Sequence, residues 1–567
     1  MIITNSQTDL NLRISTLNFV VFLAVAALVG KLFFVQIKQG EKYSESLKRQ
    51  TTVAVLLSPA RGGIVDRNGI GLAENRASLD IDVYLRELVG HYSRSKKGVL
   101  PKTQYRKRNI VDVKAILDES TGDIFESLAL PADYDKTELL RHYDQKPNIP
   151  FQLVNNLDFA TLSRFAEHSI NIPGVQETAR PVRHYNFGAL APHILGYVGA
   201  VEVQKKGEFI ESVGKEGLEK TFDGFLQGTP GEKVLRKNNV GYILGIESVS
   251  KPTVGDTIYL SLDARIQHVA EQAMRDNGVG RGACVIIDVW TGDILAMVSV
   301  PNYDPNVFLP KIDSNTWKRL TTDPTGPLHH RALATYAPGS TFKTVIAIAA
   351  LANPNIKFSP RTYINCPGAI WHANRWWNDW YAPGRGSINL HTALQWSTNP
   401  FFYQLSLRTG IKSIVDTANL LGFGKRLLVD EDGSPLLKGE DPGTIPGPQW
   451  MEDQEDKRFA YWRKKKKEDP NFNHRNWRQR WSDGHTLNTS IGQGYTEVSP
   501  LQLTTMTASF ANGGTVYYPR LIRAVTRHTG NGTEVAKEYP VRLQGRLNID
   551  PKDFKAIQSG LRAVVTS

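Results

Sequence analysis

The strongest constraint on this chain is a run of 21 mostly apolar residues near its N-terminus, from Leu17 to Ile37. Only Asn18, Lys31 and Gln36 interrupt it. At about 1.5 Å of rise per residue, a helix of this length crosses the hydrocarbon core of a bilayer. No small-residue cleavage site of the Ala-x-Ala kind follows the run. We therefore predict an uncleaved transmembrane anchor over residues 17–37, in preference to a buried core helix.

The orientation of the anchor follows from the lengths of its flanks. Basic residues lie on both sides, with Arg13 before the run and Lys38 and Lys42 after it, so the positive-inside rule decides little. The short polar head indicates a cytoplasmic tail over residues 1–16, and the long remainder indicates an exported body. We expect a single-pass protein of the cytoplasmic (inner) membrane, with its body on the periplasmic or extracytoplasmic side.

The formal net charge of +12 suits an anionic neighbourhood, which by composition alone is nucleic acid, a lipid surface or a polyanionic wall. An exported body meets no nucleic acid, so we expect none as a partner. The 567 residues predict about three or four domains. The two cysteines, Cys284 and Cys366, form no spacing motif and are interpreted as small buried residues.

The exported body is predicted to be α+β in two parts with a boundary near Gly255. The first part, residues 38–255, is called the pedestal region here, and it mixes short apolar runs with helical patterns. It contains the signature Arg61 to Gly69, where the Asn-Gly pair predicts a hairpin turn with positive φ angles. The second part, residues 256–567, is called the head region. It begins with a helix capped by Asp263 and an antiparallel hairpin, Ala283 to Val300, which predicts a sheet with helices packed against it.

A candidate nucleophile lies in the head region, in the stretch Pro338 to Lys343. An apolar run follows it, so Ser340 is predicted to open a buried helix and to face the same way as Lys343. Burial lowers the pKa of an amine, and the first turn of a helix favours a developing alkoxide, so the pair suits an activated nucleophile. A Ser-x-x-Lys also arises by chance, and a helix cap with a solvated lysine is the alternative.

The order of motifs resembles the class B penicillin-binding proteins, membrane-anchored D,D-transpeptidases that cross-link peptidoglycan. The similarity includes the anchor, the Arg61 signature, the Gly-rich cluster Gly214 to Leu218, Ser340-x-x-Lys343, and Ser397-Thr398-Asn399 with Gly492-Gln493-Gly494. Within this family, Asn399 to Gln404 and Gly443 to Pro448 are most similar to the elongation branch, the penicillin-binding protein 2 group, and the division-specific branch is the second choice. The resemblance implies an elongated pedestal of the dimerisation type followed by a penicillin-binding transpeptidase domain.

The resemblance also implies roles for four residues. Ser340 would attack the D-alanyl-D-alanine end of a stem peptide, and Lys343 would take the serine proton. Ser397 would relay a proton to the leaving amine, and Asn399 would bind the substrate amide, so Ser340 and Asn399 would contact the substrate. Expected partners are stem peptides, β-lactams, the membrane, and a membrane glycosyltransferase with other elongation-complex proteins.

One expected motif is missing, a Lys-Thr/Ser-Gly triplet after Ser-x-Asn. The nearest candidate, His528-Thr529-Gly530, is interpreted as the tip of an exposed hairpin. We therefore expect the sequence to be truncated at its C-terminus and this chain to be inactive or impaired. The rival hypothesis is a catalytically silent scaffold that activates a membrane peptidoglycan glycosyltransferase, and a penicillin sensor or β-lactamase is less favoured.

Three other features of the head region bear on what it binds. The basic, aromatic segment Lys457 to Trp481 holds ten Lys or Arg and is interpreted as a solvated insertion near the cleft, with a glycan, lipid or protein contact as the alternative. Packing is favoured over sugar stacking for the cluster Trp371, Trp376, Trp377 and Trp380. Some relatives carry zinc before Ser-x-Asn. Here Cys366 and Asp379, with His372 nearby, are the possible ligands, but Arg385 and Thr398 occupy the other two positions. We predict no metal and no cofactor.

Overall fold

A computed structural model of the protein describes residues 5–39, 52–105, 108–130, 134–145, 149–169, 172–202, 210–237, 243–473, 475, 477–529 and 532–566. The first element is helix α1 (Asn5–Phe33), which continues into a short π-helical segment, Phe34–Lys38. Residues 14–38 are predominantly apolar, and their most apolar stretch is not buried against the rest of the described protein. Within the part of the chain that the structure describes, this is the one helix long and apolar enough to cross a membrane. The described residues therefore contain one apolar N-terminal helix with the length that the predicted anchor requires.

The pedestal region combines long twisted strands with helices packed on them. Its helices are α2 (Leu85–Ser95), α3 (Val113–Ser127), α4 (Lys136–Gln145), α5 (Phe159–Ser169), α6 (Pro192–Leu195), α7 (Gly217–Thr221) and α8 (Asp223–Leu226). Its strands are β1 (Thr52–Leu57), β2 (Ile64–Val65), β3 (Gly71–Val83), β4 (Lys102–Tyr105), β5 (Arg108–Val111), β6 (Phe151–Leu157), β7 (Val175–Tyr185), β8 (Val198–Glu202), β9 (Ile210–Gly214), β10 (Gly231–Lys237) and β11 (Ile243–Ser250).

The head region is richer in helix. Its helices are α9 (Ala264–Asp276), α10 (Ser314–Thr322), α11 (Lys343–Ala352), α12 (Leu390–Gln395), α13 (Asn399–Thr409), α14 (Ile411–Leu420), α15 (Pro448–Glu468), α16 (Asp483–Ser490), α17 (Pro500–Ala511) and α18 (Pro551–Thr566), with 3₁₀ turns at Pro305–Phe308 and Gly339–Phe342. Its strands are β12 (Thr257–Leu260), β13 (Gly282–Ile287), β14 (Ile294–Val300), β15 (Ile364–Cys366), β16 (Ala369–His372), β17 (Arg375–Asn378), β18 (Gly386–Ile388), β19 (Thr515–Tyr517), β20 (Ile522–Thr529), β21 (Gly532–Glu538) and β22 (Leu543–Arg546). The mixed fold predicted from the sequence is confirmed.

One sheet joins the two regions. Its strand order is β21-β20-β12-β2-β3-β6, with β7 paired to β3 along its whole length. Strand β12 of the head lies parallel to β2 of the pedestal, so Ile258 faces Ile64 across the junction. A core cluster continues through this junction and includes Ile64, Leu218, Leu260 and Leu501. Shared strands and a shared core hold the head in a fixed position on the pedestal.

The predicted local signals hold with one exception. Asp263 caps α9 through its carboxylate as predicted, and β13 and β14 form the predicted antiparallel hairpin. The structure also shows Asp112 capping α3 in the same way. The turn between β2 and β3 differs from the prediction, because only Gly69 has a positive φ, of 83°. The Asp66 carboxylate accepts hydrogen bonds from the backbone N–H groups of Asn68 and Ile70, at 2.7 and 2.8 Å. This Asx-type turn removes the need for a positive φ at Asn68.

The geometry of the junction depends on a buried ion network. Glu219, which is fully buried, accepts from Arg61 Nε and Arg183 Nε, each at 2.6 Å. Arg183 also donates to the Gly62 carbonyl at 2.7 Å, and Arg61 forms an ion pair with Asp223 at 2.7 Å. Three Gly-rich stretches that are far apart in sequence meet here, so the Arg61 signature has a structural role in this protein.

Candidate active site

Ser340 lies in the exposed 3₁₀ turn Gly339–Phe342 that leads directly into α11. The turn is tied to the loop after α16, where the Gly339 N–H donates to the Gly492 carbonyl at 3.0 Å. A Cβ atom at position 492 would stand 2.2 Å from the Gly339 carbonyl oxygen, and Gly492 has a φ of 66°. Only glycine fits this contact and this backbone conformation, so the Gly492 loop fixes the position of the serine.

Helix α11 is buried along most of its length, from Lys343 through Ala350. Its small and β-branched side chains pack in a core cluster with Phe342, Phe401, Leu405 and Phe423. A buried helix has little freedom to move, because interiors are close-packed. The residues of its first turn, which include Lys343, therefore have well-defined positions.

The Lys343 ammonium is held by three oxygen atoms, and none of them belongs to a carboxylate. Nζ donates to the Ser397 carbonyl at 2.6 Å, to Ser397 Oγ at 2.9 Å and to Asn399 Oδ1 at 2.6 Å. It also lies 5.6 Å from the centre of the Phe402 ring. These contacts direct the amine toward the turn that carries Ser397 and Asn399.

Burial lowers the pKa of Lys343 to about 8, and the charge of Asp379 opposes this shift without overcoming it. The lysine is 1 % exposed, so its cation loses most of its hydration. Neutral hydrogen-bond acceptors compensate that loss less than a paired carboxylate does. An amine with this pKa exchanges its proton near neutral pH, which a general base must do.

Ser397 occupies a strained turn between two helices. Its φ is 50°, in the left-handed region that residues with a Cβ seldom adopt. The turn is closed by the Ser397 N–H to the Leu394 carbonyl at 3.1 Å and by the Thr398 N–H to the Ala393 carbonyl at 3.0 Å. Non-glycine residues in this conformation cluster at functional sites, because surrounding structure must hold them there.

Asp379 was named from the sequence only as a possible metal ligand, and the structure gives it a different place. Its Oδ1 accepts from the backbone N–H of Asn399 at 3.1 Å and from that of Trp380 at 2.9 Å. The Asn399 amide also donates to the Asn378 carbonyl at 3.4 Å. No local pattern in the sequence signals these contacts, which join a hairpin to the first residue of α13. They orient Asn399.

The structure tests whether this neighbourhood suits a zinc ion. Burial, reinforced by the charge of Asp379, raises the pKa of Cys366 to about 12, and its Sγ lies 3.4 Å from the Ile364 carbonyl. The Arg385 guanidinium lies 4.3 Å from the Trp396 ring centre. An always-charged guanidinium and the Thr398 hydroxyl do not complete a closed site of nitrogen, sulfur and carboxylate ligands. These residues do not fit the metal.

Three other features singled out from the sequence also lie in the head region. Trp377 is buried while Trp371, Trp376 and Trp380 are exposed, so the predicted packing holds for one indole of the four. The basic segment comprises the second half of α15 and the residues that follow this helix. Among these, Arg475 and Arg478 form ion pairs with Glu455 and Asp456 of the helix. His528 and Thr529 end β20, with contacts to Thr533 and Gly532, and Gly530 lies outside the described residues.

Comparison with known proteins defines the class. The family described as the penicillin binding protein transpeptidase domain matches residues 282–567, and the penicillin-binding protein dimerisation domain matches residues 56–260. The chain therefore belongs to the penicillin-binding protein transpeptidase family.

Individual relatives refine this assignment. The peptidoglycan D,D-transpeptidase MrdA of Acinetobacter baumannii is 29% identical over 548 residues, which cover 94% of this chain and 71% of that protein. MrdA of Escherichia coli K12 is 28% identical over 524 residues, covering 88% of this chain and 72% of the relative. The structure of PBP2 from Helicobacter pylori in complex with MreC is 26% identical, with a TM-score of 0.67, covering 91% of this chain and 85% of that one.

The order of the two matched domains and the names of these relatives lead to the same assignment. The chain is a class B penicillin-binding protein most similar to PBP2, and its enzymatic class is that of a serine-type peptidoglycan D,D-transpeptidase of cell-wall elongation.

Proposed function

We propose that cross-linking proceeds through an acyl-enzyme on Ser340, with Lys343 as the general base. The observation that supports this most directly is the environment of Lys343 Nζ, which is buried and bonded to neutral oxygens only, with a pKa of about 8. A lysine that loses its proton near neutral pH can accept one from a serine hydroxyl one helical turn away. Ser340 itself is exposed, so a peptide can reach it.

In the first step, Ser340 Oγ attacks the carbonyl carbon between the two D-alanines of a stem peptide, and Lys343 Nζ takes the hydroxyl proton. The oxyanion of the tetrahedral intermediate would be stabilised in part by the Ser340 N–H, worth about 3 kcal/mol by analogy with other acyl transfers. The C–N bond then breaks. The leaving D-alanine amine receives a proton from Ser397 Oγ, which regains it from Lys343 Nζ at 2.9 Å.

The second step reverses the order of proton transfers. An amine from a neighbouring stem peptide attacks the Ser340 ester, its proton passes to the Ser397 and Lys343 pair, and Ser340 leaves with a proton restored. Asn399 would hold the substrate amide, since its own amide and backbone are fixed by Asn378 and Asp379. β-Lactams would enter the first step and stop there.

We further propose a domain arrangement and a location. Residues 1–16 form a cytoplasmic tail, 17–37 the anchor, 38–255 the pedestal and 256–567 the transpeptidase domain. The anchor belongs to the cytoplasmic membrane and the body lies on its outer side, where peptidoglycan is made. PBP2 of Helicobacter pylori forms a complex with MreC, and we propose that this protein likewise binds elongation-complex proteins, including a membrane glycosyltransferase.

Labelling with a fluorescent penicillin tests the role of Ser340. The full-length protein, expressed from its entire reading frame and held in detergent, should gain one label per chain, on the peptide that contains Ser340, and Ser340→Ala should gain none. Thr341→Ala is the matched control, because it removes the neighbouring exposed hydroxyl and should retain the label. An unlabelled wild-type protein, or a labelled Ser340→Ala variant, would contradict the proposal and favour a non-catalytic scaffold.

A further inference from the structure

Three indole rings beside the active site are left uncovered by the fold. Trp371, Trp376 and Trp380 are 57%, 62% and 60% exposed, whereas Trp377 between them is 4% exposed and packs with Tyr403, Leu487 and Ile491. Burying an indole is strongly favourable, and clustered exposed aromatic rings usually mark a binding surface. Together with Trp396, which is 41% exposed, they are called the aromatic platform here.

The platform is rigid before any ligand arrives. Its first part is the β16–β17 hairpin, where Trp371 faces Trp376 with ring centres 5.3 Å apart. Ala373 and Asn374 close this hairpin with φ angles of 49° and 61°, the geometry of a tight two-residue turn. Because the pair is already ordered, a ligand that stacks on it avoids most of the entropy cost of fixing side chains.

The second part of the platform is fixed by a hydrogen bond and by a cation. Trp380 Nε1 donates to the Trp396 carbonyl at 3.0 Å. The Arg385 guanidinium lies 4.3 Å from the ring centre of Trp396 and 5.3 Å from that of Trp380, so one cation contacts both indoles.

The platform is continuous with the proposed catalytic residues. Trp396 directly precedes Ser397, and Trp380 directly follows Asp379, whose carboxylate accepts from the Asn399 N–H. Trp376 lies two residues along β17 from Asn378 and on the same face, about 7 Å away at strand spacing. A substrate held by Asn399 therefore has aromatic rings next to it in the direction of the hairpin.

We propose that the aromatic platform binds the glycan strand that carries the stem peptide. This rests on the proposed function, because a stem peptide at Ser340 brings its sugar polymer to the same surface. Each sugar ring has an apolar C–H face that stacks on an indole and a polar rim that hydrogen-bonds. The platform offers both, since Asn374, Arg375 and Asn378 are exposed among the rings.

Such a subsite has a specific consequence for the reaction. Binding energy from a part of the substrate that does not react can be used to orient the part that does. The platform therefore increases kcat/KM for polymeric substrates and leaves the reaction with small penicillins unchanged.

The test compares two variants of the full-length protein. Trp371→Ala/Trp376→Ala removes the hairpin pair, and Trp290→Ala is the control, because Trp290 is 65% exposed in the β13–β14 turn of the head. The probe is purified glycan strands freed of their peptides by an amidase. The double variant should bind them at least tenfold more weakly than the wild type, and Trp290→Ala should match the wild type. Penicillin acylation should stay within twofold in all three proteins.

The two proposals fail in different ways. Normal acylation of the double variant with unchanged glycan affinity overturns the platform alone, as does a wild type that binds no glycan. Loss of acylation at Ser340 in the wild type overturns the proposed function. Should the double variant misfold, hydroxyl-radical footprinting of the wild type decides the question. Adding glycan strands should lower the oxidation of Trp371 and Trp376 and leave that of Trp290 unchanged. If glycan strands do not lower the oxidation of Trp371 and Trp376 relative to Trp290, the platform proposal is overturned.

Discussion

The pedestal and the head each bury a cation, and the surroundings shift the pKa values of the two cations in opposite directions. Arg61 in the pedestal contacts the Glu219 carboxylate at 2.6 Å. Burial acts to lower the pKa of Arg61, but Glu219 and Asp223 outweigh it and leave the pKa raised. Lys343 in the head has only neutral oxygens within hydrogen-bond distance, and burial lowers its pKa to about 8. One cation keeps its proton, and the other can release it.

The difference separates a structural role from a chemical one. A carboxylate beside a buried cation fixes the charge and makes the pair a rigid link between distant segments. Neutral acceptors position the cation equally well without stabilising its charge to the same degree, so its proton can leave. Asp379 is the charged group that acts on the pKa of Lys343, and its Oδ1 oxygen is engaged by the backbone N–H groups of Trp380 and Asn399.

Replacing Lys343 is expected to have the largest effect, a loss of acylation rate. Lys343→Ala should slow acylation by penicillin about 10³-fold, the loss expected for a missing general base. Lys343→Arg should be similarly slow, because a guanidinium keeps its proton. Lys425→Ala is the control, since burial also lowers the pKa of this half-buried lysine and it lies outside the site. Stopped-flow acylation measures all three, and a Lys343→Ala rate near that of the wild type would exclude Lys343 as the base.

The next effect concerns stability and not rate. Arg61→Ala leaves Glu219 buried without one of its two cations, which should cost about 3–5 kcal/mol of unfolding free energy. Chemical denaturation of the exported body measures the loss. The protein that remains folded should acylate at the wild-type rate, because the network contacts none of the four proposed site residues. A selective loss of acylation without destabilisation would show that the two regions do not divide these roles.

A smaller effect is expected when Lys343 is given a carboxylate partner, as Arg61 has in the pedestal. Asn399→Asp places a carboxylate where Asn399 Oδ1 now lies, 2.6 Å from Lys343 Nζ. An opposite charge at this distance raises an amine pKa by roughly 1–3 units. The acylation rate at pH 7.5 should fall by about 10- to 1000-fold and recover as the pH rises. A loss that is independent of pH would assign Asn399 to substrate binding alone.

Much of this structure follows from local sequence patterns. The anchor, the Asp112 and Asp263 caps and the β13–β14 hairpin depend on hydrophobic period and capping chemistry, which neighbouring residues encode. Ser340 and Lys343 can be predicted for the same reason, because their spacing at the start of one helix is visible in the sequence.

The contacts that were not predicted join residues that are far apart along the chain. Arg61 and Glu219 are separated by 158 positions, and the place of Asp379 beside Asn399 depends on how a hairpin packs on α13. The positive φ predicted for Asn68 was wrong. The Asp66 side chain accepts hydrogen bonds from the Asn68 and Ile70 N–H groups, and these bonds hold the turn without that conformation. Tertiary packing decides these positions, and residue type alone does not specify it.

The pH dependence of acylation tests the central claim most directly. The second-order rate constant for a penicillin should be measured with the wild-type protein from pH 5 to 10. Since only neutral Lys343 accepts a proton, the rate should rise about tenfold per pH unit below 8 and level off above it. A rate that is flat between pH 6 and 9, or that falls as the pH rises through 8, would contradict this account.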